Sequence, residues 1–221
     1  MRNINILGME LKDCSARESL NRTERFLQEG AVRIILYLTG GVLLEAQKSE
    51  AQKAWIEEAD LTLWADPESL QAAGVTAGNR YREVGGQEFL QGFLQKLGKQ
   101  HRGVLVVADT QEQADELKAE LQQLDHNVTY VGSLPLNVTP ENRESMINEI
   151  NLIAPAVVIA RMAFGAQLQW LTDSRALLNT KIWIAMPEKF SCMWKKESPW
   201  EKLLNRINND IFKRRVNNYT K

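Results

Sequence analysis

The sequence predicts an α/β protein: a layered, mostly parallel sheet with helices on both faces, followed by a basic helical appendage at the C-terminus. Three observations predict it. Short apolar runs rich in β-branched residues recur at 33–39, 61–65, 103–109, 128–132, 156–162 and 181–186. Each run is between four and eight residues long, the length of a buried strand rather than a helix. The segments between the runs have helical spacing, and that alternation builds parallel crossovers.

Taken in order, residues 3–11 form a weaker, edge-like strand candidate. A helix is expected over 15–28, where Leu20, Phe26 and Leu27 sit among charges. The run Ile34-Ile35-Leu36-Tyr37-Leu38 is the first buried strand, and 42–59 reads as one long amphipathic helix before the strand at 61–65. Residues 73–86 hold four glycines and few apolar side chains, so they read as an irregular connection between two halves of the fold. Phe89, Leu90, Phe93, Leu94 and Leu97 make one stripe of a helix over 87–99. Ala114, Leu117, Leu121 and Leu124 do the same over 110–124, and helices over 142–153 and 164–178 complete the alternation.

Composition bounds the function. The chain has 221 residues, 44% hydrophobic and 25% charged, which supplies a core for one large domain or two small ones. The division expected is a domain over 1–200 and an appendage over 201–221. With 27 basic and 28 acidic side chains, the net charge of -1 speaks against nucleic acid as a partner. Cys14 and Cys192 are too few for a disulfide framework, which points to a reducing cytoplasm. With only His101 and His126 in the chain, a zinc site has almost no ligands to draw on; no metal and no cofactor is expected. No apolar run approaches the roughly 20 residues of a membrane span, and the N-terminus lacks an apolar signal core. The expected location is therefore the cytoplasm, with contact to a membrane only by the surface.

In parallel sheets of this type, ligands bind outside the carboxyl ends of the strands, so the first residues after each strand are the ones to read for chemistry. Asp66 follows 61–65 and is a candidate general base for a sugar hydroxyl; equally, Asp66-Pro67-Glu68 has the form of a helix start, with aspartate as N-cap and proline at the first helical position. Thr39, Gly40 and Gly41 let a backbone approach an anion at a helix start, or simply make a tight turn. Asp109 stands where a dinucleotide fold would place glycine and reads as a helix cap. No GxGxxG or Walker loop occurs. Arg161 ends an apolar strand and can pair with phosphate oxygens or form a structural salt bridge at a sheet edge. Gln167 can hydrogen-bond a base or sugar, or be a surface glutamine. Lys202, Arg206, Lys213, Arg214, Arg215 and Lys221 share the last twenty residues with a single acid, Asp210. With Phe190, Trp194, Trp200, Phe212 and Tyr219 nearby, they suit an anionic membrane surface or a phosphate; a solvated terminal helix is the plain alternative and nucleic acid a third.

In segment order the chain resembles the WecG/TagA/CpsF family of bacterial glycosyltransferases. The start Ile4-Asn5-Ile6-Leu7-Gly8-Met9 is similar to the family's Ile-Leu-Gly-Val, and Thr39-Gly40-Gly41 falls at its Thr-x-Asn turn. Glu58-Ala59-Asp60-Leu61 is similar to its Ala-Asp-Leu, Asp66 matches the aspartate of its Pro-Asp-Gly, and Val84-Gly85-Gly86-Gln87-Glu88 stands at its Val-Thr-Gly-Ser-Asp. Gln167 and Trp170 match the Gln and Trp of Gly-x-Gly-x-Pro-x-Gln-Glu-x-Trp, and Pro199-Trp200 with the basic end resembles the family's membrane-contacting appendage.

The resemblance implies a Rossmann-like fold and metal-independent, inverting transfer of an N-acetylmannosamine-type sugar from a UDP-sugar to a polyprenyl-diphosphate-linked acceptor, in cell-envelope polysaccharide or teichoic acid synthesis. It implies Asp66 as base, donor contacts from Thr39, Gly40, Gly41, Arg161 and Gln167, and diphosphate or membrane contacts from Arg206, Lys213, Arg214 and Arg215. A homo-oligomer is common in that fold. The departures are specific. Arg161 and Ala163 replace glycines, Gly165 replaces the proline, Leu168 the glutamate and Gly41 the asparagine. Ala108-Asp109 replaces a glycine pair, and Pro187-Glu188-Lys189-Phe190-Ser191 replaces Gly-Gly-x-Phe-Asp. Two readings follow: a working transferase with a rewired donor loop, or a pseudo-glycosyltransferase that keeps the fold as a binding or scaffolding module.

Overall fold

The architecture comes from a computed structural model that describes residues 2–75, 78–136, 138–190, 210–216 and 218. The chain opens with an antiparallel hairpin of β1 (Arg2–Ile6) and β2 (Met9–Asp13). The expectation of one edge strand over 3–11 is corrected here. Leu7 and Gly8 both take positive φ, 52° and 81°, the turn geometry that matches strand twist and reverses the chain in two residues.

Eleven residues of α1 (Ala16–Phe26) follow, opened by a capping box between Ser15 and Glu18. Next come β3 (Arg33–Leu38), α2 (Gly40–Ala46), α3 (Glu50–Glu58) and β4 (Leu61–Trp64). The helix expected over 42–59 is two helices, because the chain turns extended at Ser49, a residue type that favours helix starts over interiors. Then come α4 (Pro67–Ala72), α5 (Gly78–Gly85) and α6 (Glu88–Lys99). The glycine-rich connection thus contains a helix. Arg80 anchors it, donating 2.6 Å to Asp13 and also pairing with Glu83.

The second half alternates strictly: β5 (Gly103–Ala108), α7 (Gln111–Leu124), β6 (Thr129–Pro135), α8 (Arg143–Ile153), β7 (Val157–Met162), α9 (Phe164–Ser174) and β8 (Ile182–Pro187). Residues 210–216 form a further helical segment.

Six strands, β3 to β8, make one all-parallel sheet in the order β4-β3-β8-β7-β5-β6. Successive side chains feed two cores. Ile34, Leu36, Leu105, Val107, Val158 and Trp183 face the side covered by the hairpin, α2, α3, α8 and α9. Ile35, Tyr37, Val104, Val106, Ile159 and Ile184 face the side covered by α6 and α7. Burial on both faces is why these strands read as continuous apolar runs instead of alternating ones. The α/β layered fold is as the sequence predicts.

The topology fixes where a ligand would sit. The crossover from β3 leaves toward β4, and the crossover from β5 leaves the opposite way, toward β6. Between them the carboxyl ends of β3, β8, β7 and β5 border one crevice. Thr39-Gly40, Glu188, Arg161 and Asp109 are the residues at that rim.

Candidate functional site

Thr39 is the N-cap of α2, its hydroxyl accepting from the Val42 amide at 3.1 Å. Gly40 is buried and faces the helical segment 210–216. A Cβ built at Gly40 would lie 3.2 Å from two ring atoms of Phe212, and Phe212 is itself fully buried. The turn that the sequence offers to an anion is therefore covered by an aromatic ring from the end of the chain. Gly41 remains exposed.

Asp66 caps α4, with Pro67 at the first helical position. One carboxylate oxygen accepts from the Ser69 amide at 2.6 Å, and the other from the Ser69 hydroxyl at 2.8 Å. Ser69 Oγ in turn accepts from the Gly40 amide at 2.8 Å. A buried relay thus ties the carboxylate to the α2 turn, although Asp66 itself is half-buried, not hidden. Sequence reading missed Ser69; its signal was its place three residues after an N-cap aspartate.

Arg161 does not stand free at the end of its strand. Its side chain is 9% exposed, with Nη1 3.0 Å from Glu120 Oε1 and Nη2 3.6 Å from Glu116 Oε2. Nη1 also donates to the Phe190 carbonyl oxygen at 3.3 Å. This is the salt-bridge alternative, but in the sheet's interior and not at its edge, since β7 pairs on both sides. Glu120 was missed because it lies beside the apolar stripe of α7 and looks like a surface charge.

Gln167 is likewise no surface residue. It is 2% exposed, and its Nε2 donates to the Met162 and Met186 carbonyls at 3.0 and 2.9 Å, clamping the ends of β7 and β8 together. Trp170, one turn on, packs against Trp183 with ring centroids 5.2 Å apart.

Asp109 does not cap α7. Thr110 does, in a capping box with Gln113, because its hydroxyl reaches the Gln113 amide at 3.2 Å. Asp109 instead lies on the rim, where burial and then the nearby Glu188 carboxylate raise its pKa above the ordinary aspartate range. The rim that would face a diphosphate thus carries two carboxylates.

Lys213, Arg214 and Arg215 are exposed on the helical segment that Phe212 anchors; Arg206 lies outside the described residues. A cavity lies between β3, β4 and α5, bordered among others by Cys14, Tyr37, Arg80, Glu83 and Gln87. It measures about 30 Å³. Since a water needs roughly 10–15 Å³ by the same measure, this holds water and not a nucleotide sugar. Burial pushes the Cys14 thiol pKa up, away from the reactive thiolate. Among the described residues no cluster of His, Cys, Asp and Glu is placed to hold a metal ion, and no helix is long and apolar enough to cross a membrane.

Fold and rim together define a doubly wound α/β protein built on one six-stranded, all-parallel sheet. The glycosyl transferase family WecG/TagA/CpsF matches residues 4–193, and the chain belongs to that family. No curated protein matches the sequence.

Proposed function

We propose that this chain is a glycosyltransferase-family domain that no longer takes a nucleoside-diphosphate donor and acts as a binding module. The observation that carries this reading is the Arg161–Glu120 pair at 3.0 Å. In an inverting displacement, the acceptor oxygen gives its proton to a base as it attacks the anomeric carbon, and the bond to the diphosphate breaks. The departing diphosphate gathers negative charge and needs a cation. Here the Arg161 guanidinium is already paired with Glu120, while Asp109 and Glu188 repel an anion at the rim. The ring of Phe212 over Gly40 removes the backbone approach that a donor would use.

A second reading, an active transferase of cell-envelope polysaccharide synthesis, is favoured by one observation. Asp66 stands half-buried at the carboxyl end of β4, beside the α2 turn, where a base for an acceptor hydroxyl belongs. In that reading Arg206, Arg214 and Arg215 supply the charge for a UDP-sugar, and a lipid-linked acceptor is presented at the membrane. Under either reading, Lys213, Arg214 and Arg215 dock the domain on an anionic membrane surface from its cytoplasmic side.

Calorimetry separates the two. Titration with UDP and with UDP-N-acetylmannosamine is expected to give no saturable heat at millimolar ligand. Saturable heat that changing Arg214 and Arg215 to glutamine weakens would establish the transferase reading instead.

A further inference from the structure

Among the described residues four large apolar side chains are exposed, and three of them gather round the C-terminal end of α8: Val131 at 41%, Leu152 at 87% and Leu177 at 60% exposure. Two sets of contacts place them together. On one flank, Ile153 at the end of α8 reaches over β6, 3.9 Å from where a Cβ on Gly132 would lie, and Val131 is the unpaired extra residue just before Gly132, where the β5–β6 register shifts. On the other flank, Asn151 donates to the Leu177 carbonyl oxygen at 2.8 Å and accepts from the Asn179 amide at 2.6 Å. Leu152 stands between these flanks. All three apolar side chains lie toward the amino ends of β6, β7 and β8, the end of the sheet opposite the strand-end crevice. Each flank also carries one charge. Glu149, one turn before Ile153, is exposed on the β6 flank, and Lys181 is half-buried just before β8 on the other. Neither side chain makes a hydrogen bond or ion pair among the described residues.

We infer that this face joins two copies of the chain about a twofold axis passing Leu152, an inference that goes beyond the reading of the donor rim. In an isologous contact each residue meets the one on the opposite side of the axis. Leu152 then meets Leu152 of the second copy, Val131 meets Leu177, and Glu149 meets Lys181, the last two contacts made twice. The apolar side chains leave water, and each charge gains a partner of opposite sign. The match is with the chain itself, because a partner of uniform charge would satisfy one flank and repel the other. The patch is small, so the association is weak and reversible, with a dissociation constant in the micromolar-to-millimolar range.

Sedimentation of the full chain over a concentration series tests the inference. The expected result is a reversible shift from monomer to dimer as concentration rises. Leu152→Glu places two carboxylates together at the axis and should raise the dissociation constant at least tenfold; the side chain is 87% exposed, so the fold does not depend on it. Glu149→Lys alone and Lys181→Glu alone should each weaken the dimer at least threefold. The two reversals combined should recover the affinity of the unaltered chain, since the flanks then match again with the signs exchanged. Unchanged unfolding curves verify the fold of each variant. A chain that stays monomeric throughout the series would overturn the inference, whatever else covers the face. So would a dimer unaffected by Leu152→Glu, or a double reversal no tighter than the single ones.

Discussion

Arg161 and Glu120 form an ion pair 3.0 Å long in which each side chain is only 9% exposed. One partner comes from the middle of the sheet and the other from the helix that covers it. Two charges so enclosed depend on each other, because removing Glu120 leaves the buried Arg161 only the longer Glu116 contact at 3.6 Å and the Phe190 carbonyl at 3.3 Å.

Glu120→Ala should therefore cost about 3–5 kcal/mol of folding stability. Replacing the pair together, as Glu120→Leu with Arg161→Met, should restore most of that loss. Urea unfolding of the four proteins in the cycle reads both numbers. A loss below about 1 kcal/mol for Glu120→Ala would mean the pair behaves as an exposed one.

The Gly40–Phe212 contact predicts a coupled pair of a different kind. A methyl group at Gly40 would press on the ring at 3.2 Å. Gly40→Ala should destabilise the docked segment by about 1–3 kcal/mol, seen as faster amide exchange over 210–216. In a Phe212→Ala background the same substitution should add nothing further. Equal effects in both backgrounds would show that the ring is not what Gly40 accommodates.

Asp66 separates capping from catalysis. Asp66→Asn keeps one acceptor for the Ser69 amide but loses the one for the Ser69 hydroxyl, so it should cost less than Asp66→Ala, which should cost about 0.5–2 kcal/mol. Ser69→Ala should cost about 1–3 kcal/mol, since it leaves the buried Gly40 amide without its acceptor. Thermal unfolding of the three variants checks the ranking.

Asp109 gives a pH signature. Its pKa is raised by burial and by Glu188, so its proton is held more tightly in the folded chain than in the unfolded one. The resulting cost is absent below the unfolded value of about 3.9, grows as pH rises through the folded value, and is complete above it. Asp109→Asn should then raise Tm at pH 7, and its advantage should disappear below about pH 3.9. A gain that is the same at both ends would contradict the assignment.

For the membrane surface, flotation with vesicles rich in phosphatidylserine should fall when Lys213, Arg214 and Arg215 are all changed to glutamine. Each charge contributes about 1 kcal/mol near such a surface, so the three together should weaken binding by roughly a hundredfold. The unaltered chain should lose binding in high salt. Unchanged flotation would reject the docking role.

The fold was legible because its signals are strong and local. Six apolar runs became six parallel strands, five of them buried, and capping residues such as Thr39 and Asp66 marked helix starts. What escaped were features set by tertiary partners. The helix over Gly78–Gly85 is hidden by glycine content and held by Arg80 on Asp13. The break at Ser49 and the reversal at Leu7-Gly8 lack the usual Pro or Asn-Gly punctuation. At the rim, residue types were legible and their partners were not. Nothing in the one-dimensional pattern says that Glu120 faces Arg161, that Gln167 turns inward to two strand ends, or that Phe212 returns to Gly40. Those long-range contacts decide what a ligand would meet at the rim.

In the binding-module reading the donor edge no longer receives a nucleoside diphosphate. The most direct measurement of this is a two-dimensional amide NMR titration with UDP, following the amides of Gly40, Gly41, Asp109 and Ala163. The account predicts that these resonances stay in place at millimolar UDP. Saturable movement of that set would contradict it and return the chain to the active transferases.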